Sequence, residues 1–557
     1  MDKLKKQDSF LHRMSMQEGF RAPRDQMLIK LAPPAPHDVM YERKQDLLHQ
    51  RRLPLTYNLK RVKVEDITDE WLDGLLEAAR ILQLTEAEWY FVEDDGKGPF
   101  SPRNEIEALG ALELTVRALR ISVGAMSATA GSPLAKVHSL VLSRLNARNS
   151  NSSSVSKEPV GAAEAELSSW AAKQGIKSLI QPANFEGMGR GAAASTNIST
   201  GDLVLEIPQE ALISEDVALE SDLGAVLKET PELSGETMSL LWSMKERHNK
   251  TSRFAPFFES LPESFHTGLG FGIAGLKALE GTLVVEELTQ AREHLRSQFD
   301  SLFPALSDKH PELFPANIYC WDEFLWACQL WYSYGMKVKF PTGTVQTCLV
   351  PFASLLNHSI HPHVTHFSRI NESTNTLQLF ALRECKAGEQ CFLSYGALQN
   401  SDLLTFYGFL VKDNPYDIIP IDLDLNEICE APQQLALIQK YDVLSSHMVR
   451  GFHRLPTQLI AALRVACMED DDFVSYSADP RRQMISPRNE KDVYESLLST
   501  VESLLEPLEE SDESSGLEAA TNDSSQWDVL LAQQFNEGQR KVLESVRSLC
   551  VASLEAS

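Results

Sequence analysis

The 557-residue sequence predicts an α+β protein: a β-rich domain broken by a helical insertion, then an all-α tail. Three observations carry this. Residues 176–215 have strand texture, with Ser178-Leu179-Ile180 and Leu203-Val204-Leu205-Glu206-Ile207-Pro208 separated by Gly turns. Comparable runs return between 345 and 395, as Thr347–Val350, Leu377–Leu382 and Gln390–Leu393. Between the two sets, and again beyond Asp417, apolar residues recur at helical spacing.

Taken in order, residues 1–60 are punctuated by Pro33, Pro34 and Pro36 without a clear apolar period, and are expected to be loosely structured. From Val64 to about Leu145 the spacing of Leu109, Leu112, Val116, Leu119 and Ile121 predicts helix, to which no function is attached. Ser and Asn dominate 149–157, which reads as a flexible linker. The insertion spans about 220–335 and includes Leu279 to Leu302 and the aromatic-rich Trp321 to Trp331. The acidic, Ser-rich stretch at 506–525 is expected as a solvated loop in the helical tail. Three segments follow: 1–160, a partly helical N-terminal extension ending in the linker; 161–412, the β-rich domain with its insertion; and 413–557, the helical C-terminal domain.

Composition narrows the function classes. With 52 basic against 78 acidic residues the formal charge is −26, which disfavours sequence-independent binding to nucleic acid. The eight cysteines are scattered with no Cys-x2-Cys pair, so they read as free thiols in a reducing compartment rather than disulfides or a zinc site. No apolar run reaches a membrane span, and the N-terminus lacks a signal-peptide core. The expectation is an intracellular soluble monomer, cytoplasmic or nuclear, with a plastid left open.

Two motifs promise a polar pocket. Asn357-His358-Ser359 ends the apolar run from Cys348, and Ser394-Tyr395-Gly396 ends the run from Gln390, twelve residues before Tyr407-Gly408-Phe409. Gly187-Met188-Gly189-Arg190-Gly191 invites a dinucleotide reading. The β-branched, turn-rich stretch after it is not the helix such a fingerprint must open, so the glycines read as letting the backbone approach a ligand closely or as making a hairpin. His358, His361, His363 and His366 crowd together, but Pro362 interrupts them and no strand would put all on one face, so metal ligation is set aside.

These blocks resemble the SET-domain methyltransferases, and in particular the branch of the Rubisco large-subunit lysine methyltransferase and the actin-histidine methyltransferase. The likeness runs through Gly-x-Gly-Arg-Gly, Asn-His-Ser, Pro362-His363-Val364, Tyr395-Gly396, Asn400, Leu403-Leu404 and Tyr407-Gly408-Phe409, and into Asp413-Asn414-Pro415. It includes Pro256-Phe257-Phe258 and Leu261-Pro262 in the insertion, and Leu455-Pro456 and Gly538-Gln539-Arg540 in the tail. Roughly 170–557 is covered, and 1–160 lies outside.

The resemblance implies a β-rich SET fold with a helical insertion and a substrate-binding helical domain. It further implies S-adenosyl-L-methionine as cofactor and methyl transfer to a side-chain nitrogen of a protein substrate, lysine ahead of histidine. Tyr395 would be the catalytic residue; Glu186, Gly187, Met188, Asn357 and His358 would bind the cofactor; Tyr407, Tyr334 and Ser354 would face the substrate. Two positions depart from the family pattern, which has Asp at 354 and Arg at 334. A charge-assisted contact is typically worth about 1.5–3 kcal/mol, so losing both would weaken binding a hundredfold or more. A catalytically silent SET-fold protein-binding module is therefore the alternative.

Overall fold

The computed structural model describes residues 27–36, 38–85, 88–89, 100, 102–123, 132–147, 160–229, 233–364, 369–429, 431–451, 455–476, 478–514 and 526–556. The chain opens with a small unit: β1 (Leu28–Lys30), α1 (Tyr41–Gln50), β2 (Thr56–Asn58), α2 (Asp69–Leu82), α3 (Pro102–Val123) and α4 (Pro133–Ala147). β1 and β2 pair antiparallel, and the buried faces of the helices enclose a core of their own around Ile29, Leu47, Leu72, Leu109, Val116 and Val137. Thr68 caps α2 by accepting from Trp71 N at 3.3 Å, with Asp69 and Glu70 in the positive first turn. Residues 28–58 are thus folded, against the expectation of loose structure up to 60: Ile29, Leu47 and Leu59 are buried there, and α1 spaces its apolar residues too sparsely to show a period. The 149–157 linker lies outside the described residues.

The second unit begins at α5 (Ala162–Lys173), close to the domain start expected near 160. It continues through β3 (Lys177–Ser178), β4 (Ile180–Phe185), β5 (Gly189–Ala194) and β6 (Leu203–Pro208). The insertion follows as α6 (Glu215–Glu220), α7 (Gly224–Glu229), α8 (Gly235–Glu246), α9 (Ala255–Glu259), α10 (Ile273–Ala278), α11 (Leu283–Lys309) and α12 (Trp321–Tyr334). Strands then return: β7 (Gly335–Lys339), β8 (Val345–Leu349), β9 (Asn357–His358), β10 (Ile370–Asn371), β11 (Thr376–Phe380) and β12 (Gln390–Leu393), before α13 (Asn400–Tyr407). Two four-stranded sheets result, ordered β10-β11-β6-β3 and β4-β5-β12-β9. Segments nearly two hundred residues apart in sequence therefore pair directly, as where Gln390 of β12 sits opposite Ala193 of β5. Helices and sheets share one core rich in aromatic rings, among them Trp242, Phe257, Phe314 and Phe324.

The third unit comprises β13 (Ile419–Asp422), α14 (Leu425–Ile428), α15 (Pro432–Tyr441), β14 (Ser446–Val449), α16 (Thr457–Ala466), α17 (Asp470–Ser475), α18 (Pro487–Ser514) and α19 (Trp527–Ala556). The acidic stretch expected as a loop from 506 is helix through Ser514, because Leu505 and Leu508 pack into the unit's core and carry α18 past its charges; 515–525 lie outside the described residues. The first half of α19 docks on the insertion. Asp528 Oδ2 accepts from Gly272 N at 3.0 Å, Asn536 donates to Ala278 O at 2.7 Å, and Ala532 and Phe535 join Phe271, Leu279 and Leu288 in a shared apolar cluster. No described helix is long and apolar enough to cross a membrane.

Candidate active site

The strand pairing brings the two polar motifs together. β12 runs parallel to β9 with Phe392 opposite Asn357 and Leu393 opposite His358, so Asn-His-Ser and Ser-Tyr-Gly emerge side by side. Ser359 N donates to Leu393 O at 2.9 Å, and Tyr395 N donates to His358 Nδ1 at 3.0 Å. A ring nitrogen that accepts from an amide must be unprotonated, and burial agrees, lowering the His358 pKa to about 4. His358 is thus a fixed neutral strut under the Tyr395 backbone.

Tyr395 is enclosed by rings. Its ring stacks on Tyr407 with centroids 5.0 Å apart, with His358 at 5.2 Å and Phe409 at 6.4 Å. Its hydroxyl donates to Leu356 O at 2.9 Å. Burial, then the neighbouring Tyr334 and Tyr407 hydroxyls, push its pKa far up while Arg190 opposes them, so the phenol stays protonated. Tyr407, the last residue of α13, is likewise raised to about 12 by burial and then by Asp402. The next residue must be glycine. Gly408 closes the helix in the left-handed region at φ 75°, donates to Leu403 O at 2.8 Å, and a Cβ there would meet His266 O at 1.9 Å. That turn swings Phe409 back against His358.

Asn400 locks this block. Its amide N and side-chain Nδ2 each donate to Asp417 at 2.7 Å, while its side chain also exchanges bonds with Val411 N at 2.8 Å and Val411 O at 2.9 Å. Burial outweighs these donors and raises the Asp417 pKa to about 6.

The Glu186-Gly187-Met188 turn joins β4 to β5 in an antiparallel hairpin, one of the two readings the glycines allow. All three residues are exposed, and the space around Gly187 is open. The hairpin abuts the other motifs two residues further on: Asn357 Nδ2 donates to Arg190 O at 3.0 Å. A Cβ at Gly191 would stand 2.9 Å from that nitrogen and 2.7 Å from Gln390 Nε2, so β5 can approach this closely only as glycine.

Tyr334 ends α12, accepts from Arg190 Nη2 at 3.3 Å and meets Phe265 edge-on at 5.9 Å. Ser354 is half-buried in the 3-10 turn Ala353–Leu355, with its amide donating to Val350 O at 3.2 Å; no contact joins its side chain to Tyr334 among the described residues. Arg190 is the residue the sequence reading passed over. Besides Tyr334 its guanidinium donates to Ser260 O and lies 3.8 Å from Glu164. The signal was present in Gly-Arg-Gly, where a long cation between two glycines marks a strand pressed against a polar neighbour. Of the histidine cluster, buried His363 stacks on Phe392 at 5.7 Å and accepts from Phe392 N at 3.2 Å, while His366 lies outside the described residues.

Comparison with known proteins agrees with this architecture. The family model described as "SET domain" matches residues 189–396, and that described as "Rubisco LSMT substrate-binding" matches 430–548 and also 35–123. The second match extends the resemblance into the segment placed outside it. SET domain-containing protein 4 of Mus musculus is 25% identical over 371 residues, spanning 62% of this chain and 82% of the relative. Actin-histidine N-methyltransferase of Gallus gallus is 24% identical over 319 residues, spanning 55% of this chain and 53% of the relative. Among solved structures, Rubisco LSMT bound to AdoMet superposes with a TM-score of 0.52 at 20% identity, covering 71% of this chain and 93% of that one. The LSMT SET domain bound to lysine and AdoHcy gives 0.53 at 20% identity, covering 71% and 92%. With a β-rich domain whose two motifs converge on one buried tyrosine, followed by a docked helical unit, this chain is similar to the SET-domain proteins over 189–396 and to the Rubisco LSMT substrate-binding domain over 35–123 and 430–548.

Proposed function

We propose that this protein is an S-adenosylmethionine-dependent protein methyltransferase acting on a side-chain nitrogen, lysine ahead of histidine. Residues 161–412 form its catalytic domain and 413–557 grip the protein substrate. The observation that carries this is the protonated Tyr395 phenol, fixed through Leu356 O inside a ring of aromatic side chains and beside Asn357-His358. The residues suit the cofactor: an open turn with the exposed Glu186 carboxylate for its polar groups, and the Asn357 amide and neutral His358 behind. When bound, S-adenosylmethionine supplies a methyl group on a sulfonium.

The chain's own residues do the rest. Tyr395 oxygen keeps acceptor lone pairs after donating to Leu356, and these orient the incoming nitrogen. Tyr407 stacks on Tyr395 and walls the approach, excluding water. A lysine must arrive neutral, and an aromatic lining with the Arg190 cation nearby favours loss of its proton. The relatives include enzymes named for histidine, and a neutral imidazole needs no such step.

The −26 charge and eight free cysteines support a monomeric protein of a reducing compartment, cytoplasm or nucleus, acting on protein rather than nucleic acid. Ser354 and Tyr334 favour the second reading, a silent binding module. Thermal unfolding with added S-adenosylmethionine separates them. Ligand at 100 times its Kd stabilises by about 2.7 kcal/mol, and an unmoved midpoint at millimolar ligand counts against the enzyme.

A further inference from the structure

The first unit repeats the third. Both contain a strand, a helix, an antiparallel strand, a helix, a long helix and a further helix in that order, the third unit adding two short helices, α14 before its first matched helix and α17 before its long one. The agreement extends to single bonds. Leu31 N donates to Leu55 O at 2.8 Å, as Leu423 N does to Ser445 O; Leu53 N donates to Leu48 O at 2.9 Å, as Val443 N does to Ile438 O at 3.0 Å. The turns after α1 and after α15 each hold a non-glycine residue at positive φ, Arg52 at 52° and Asp442 at 49°.

The sequence Ser-Pro-Arg-Asn-Glu occurs at 101–105 and 486–490, and its proline begins the long helix in both, Pro102 in α3 and Pro487 in α18. Arg80 Nε and Nη2 fork onto Glu105 at 2.5 and 2.9 Å, and Arg464 Nε and Nη2 fork onto Glu490 at 2.7 and 2.6 Å. Asn104 donates to Arg80 O at 2.8 Å, and Asn489 to Arg464 O at 2.9 Å. A bidentate fork and a buried amide at matched places are specific geometry, which helix packing alone does not reproduce.

The copies differ in two ways. In α4 the core residues Leu134, Val137 and Val141 have the spacing of Leu543, Val546 and Cys550, so α4 answers to the second half of α19. The first half of α19, which fastens the third unit to the insertion, has no counterpart among the described residues of the first. Charge differs as well: residues 27–147 hold 15 Lys and Arg against 17 Asp and Glu, and residues 413–557 hold 11 against 27.

We propose that the first unit is a second docking module for the protein substrate, so that the SET domain works between two grips. This rests on the reading of the chain as a protein methyltransferase. The occupant is the same protein chain that enters the active site, because both copies are covalently joined to one catalytic domain and share the substrate-binding architecture. Their unlike charges direct them to different patches of it, so that one grip raises the effective concentration for the other.

The test uses the full chain with a sequence-specific protease site inserted between Ser152 and Ser153, cut after folding, with the released unit removed by gel filtration. Tritiated S-adenosylmethionine in a cell extract first identifies the protein that the uncut chain labels. That purified protein, and a short peptide around its labelled residue, are the two probes. Cutting should raise KM for the intact protein about tenfold or more and leave kcat and the peptide's KM unchanged. Glu105→Gln in the uncut chain, which loosens this unit alone, should shift the same KM. Equal kinetics on both probes before and after cutting overturns the second grip while leaving the enzyme standing. An extract with no labelled protein overturns the methyltransferase reading and this inference with it.

Discussion

Tyr395 and its neighbours show how much rests on single atoms. Tyr395→Phe removes one hydroxyl that is bonded to Leu356 O and leaves the ring stacked on Tyr407. Methyl transfer should fall about 10²–10³-fold, as for loss of one positioned polar group. Cofactor affinity and the unfolding midpoint should move little; a variant keeping a third of wild-type turnover would make Tyr395 a core tyrosine. The departures at 334 and 354 gain a physical reading from Arg190. The Tyr334 phenol accepts from that guanidinium, so position 334 already lies against a cation on β5. Tyr334→Arg should therefore set two cations against each other and lower stability by about 1–3 kcal/mol. Adding Ser354→Asp should recover part of that loss if the carboxylate reaches the pair. Denaturation midpoints of both single variants and the double give the coupling, and strict additivity would mean the two positions do not communicate.

At the scale of elements, one turn sets the site. The end of α13 must pass from Tyr407 to Phe409 within one residue, and only the left-handed Gly408 permits it. Gly408→Ala combines an unfavourable φ with a Cβ lying on His266 O, backbone that cannot rotate away. The expected cost is about 2 kcal/mol or more, read as a lower denaturant midpoint, together with loss of transfer because both Tyr407 and Phe409 shift. An alanine variant with wild-type stability would show that the turn has an alternative path. The hairpin of β4 and β5 illustrates the converse. That no helix follows was legible from the β-branched residues after Gly191 and a hairpin was one reading of the glycines, whereas the reason for Gly191 itself, the nearby Asn357 amide, lies 166 residues downstream.

For the whole molecule, three buried histidines set the response to acid. His358 and His447 have pKa values lowered to about 4 and His363 to about 3, in each case chiefly by burial. A base whose folded pKa lies below its unfolded value of 6.5 contributes stability that is complete above pH 6.5 and lost as pH falls towards the folded value. Asp417 acts the other way: raised to about 6 from 3.8, it adds stability as pH falls through that window. From pH 7 to pH 5 each histidine should cost about 2 kcal/mol and Asp417 should return about 1 kcal/mol, a net loss of several kcal/mol. Urea midpoints at the two pH values check this, and a midpoint that rises on acidification would contradict it.

The sequence by itself determined the α+β class and the order of the motifs, because apolar period and turn chemistry act over a few residues. It also held the repeated Ser-Pro-Arg-Asn-Glu, yet nothing local says that the glutamate of each copy takes a forked bond from an arginine on the preceding helices. Three matters were left to the tertiary structure. The β1–α1–β2 segment folds because distant helices cover Ile29 and Leu59, α18 persists through its acidic stretch because Leu505 and Leu508 are buried, and Arg190 meets Tyr334 across 144 residues. Each depends on which surfaces touch, and burial, pKa and the partner of a charge are properties of that contact and not of the residue that makes it.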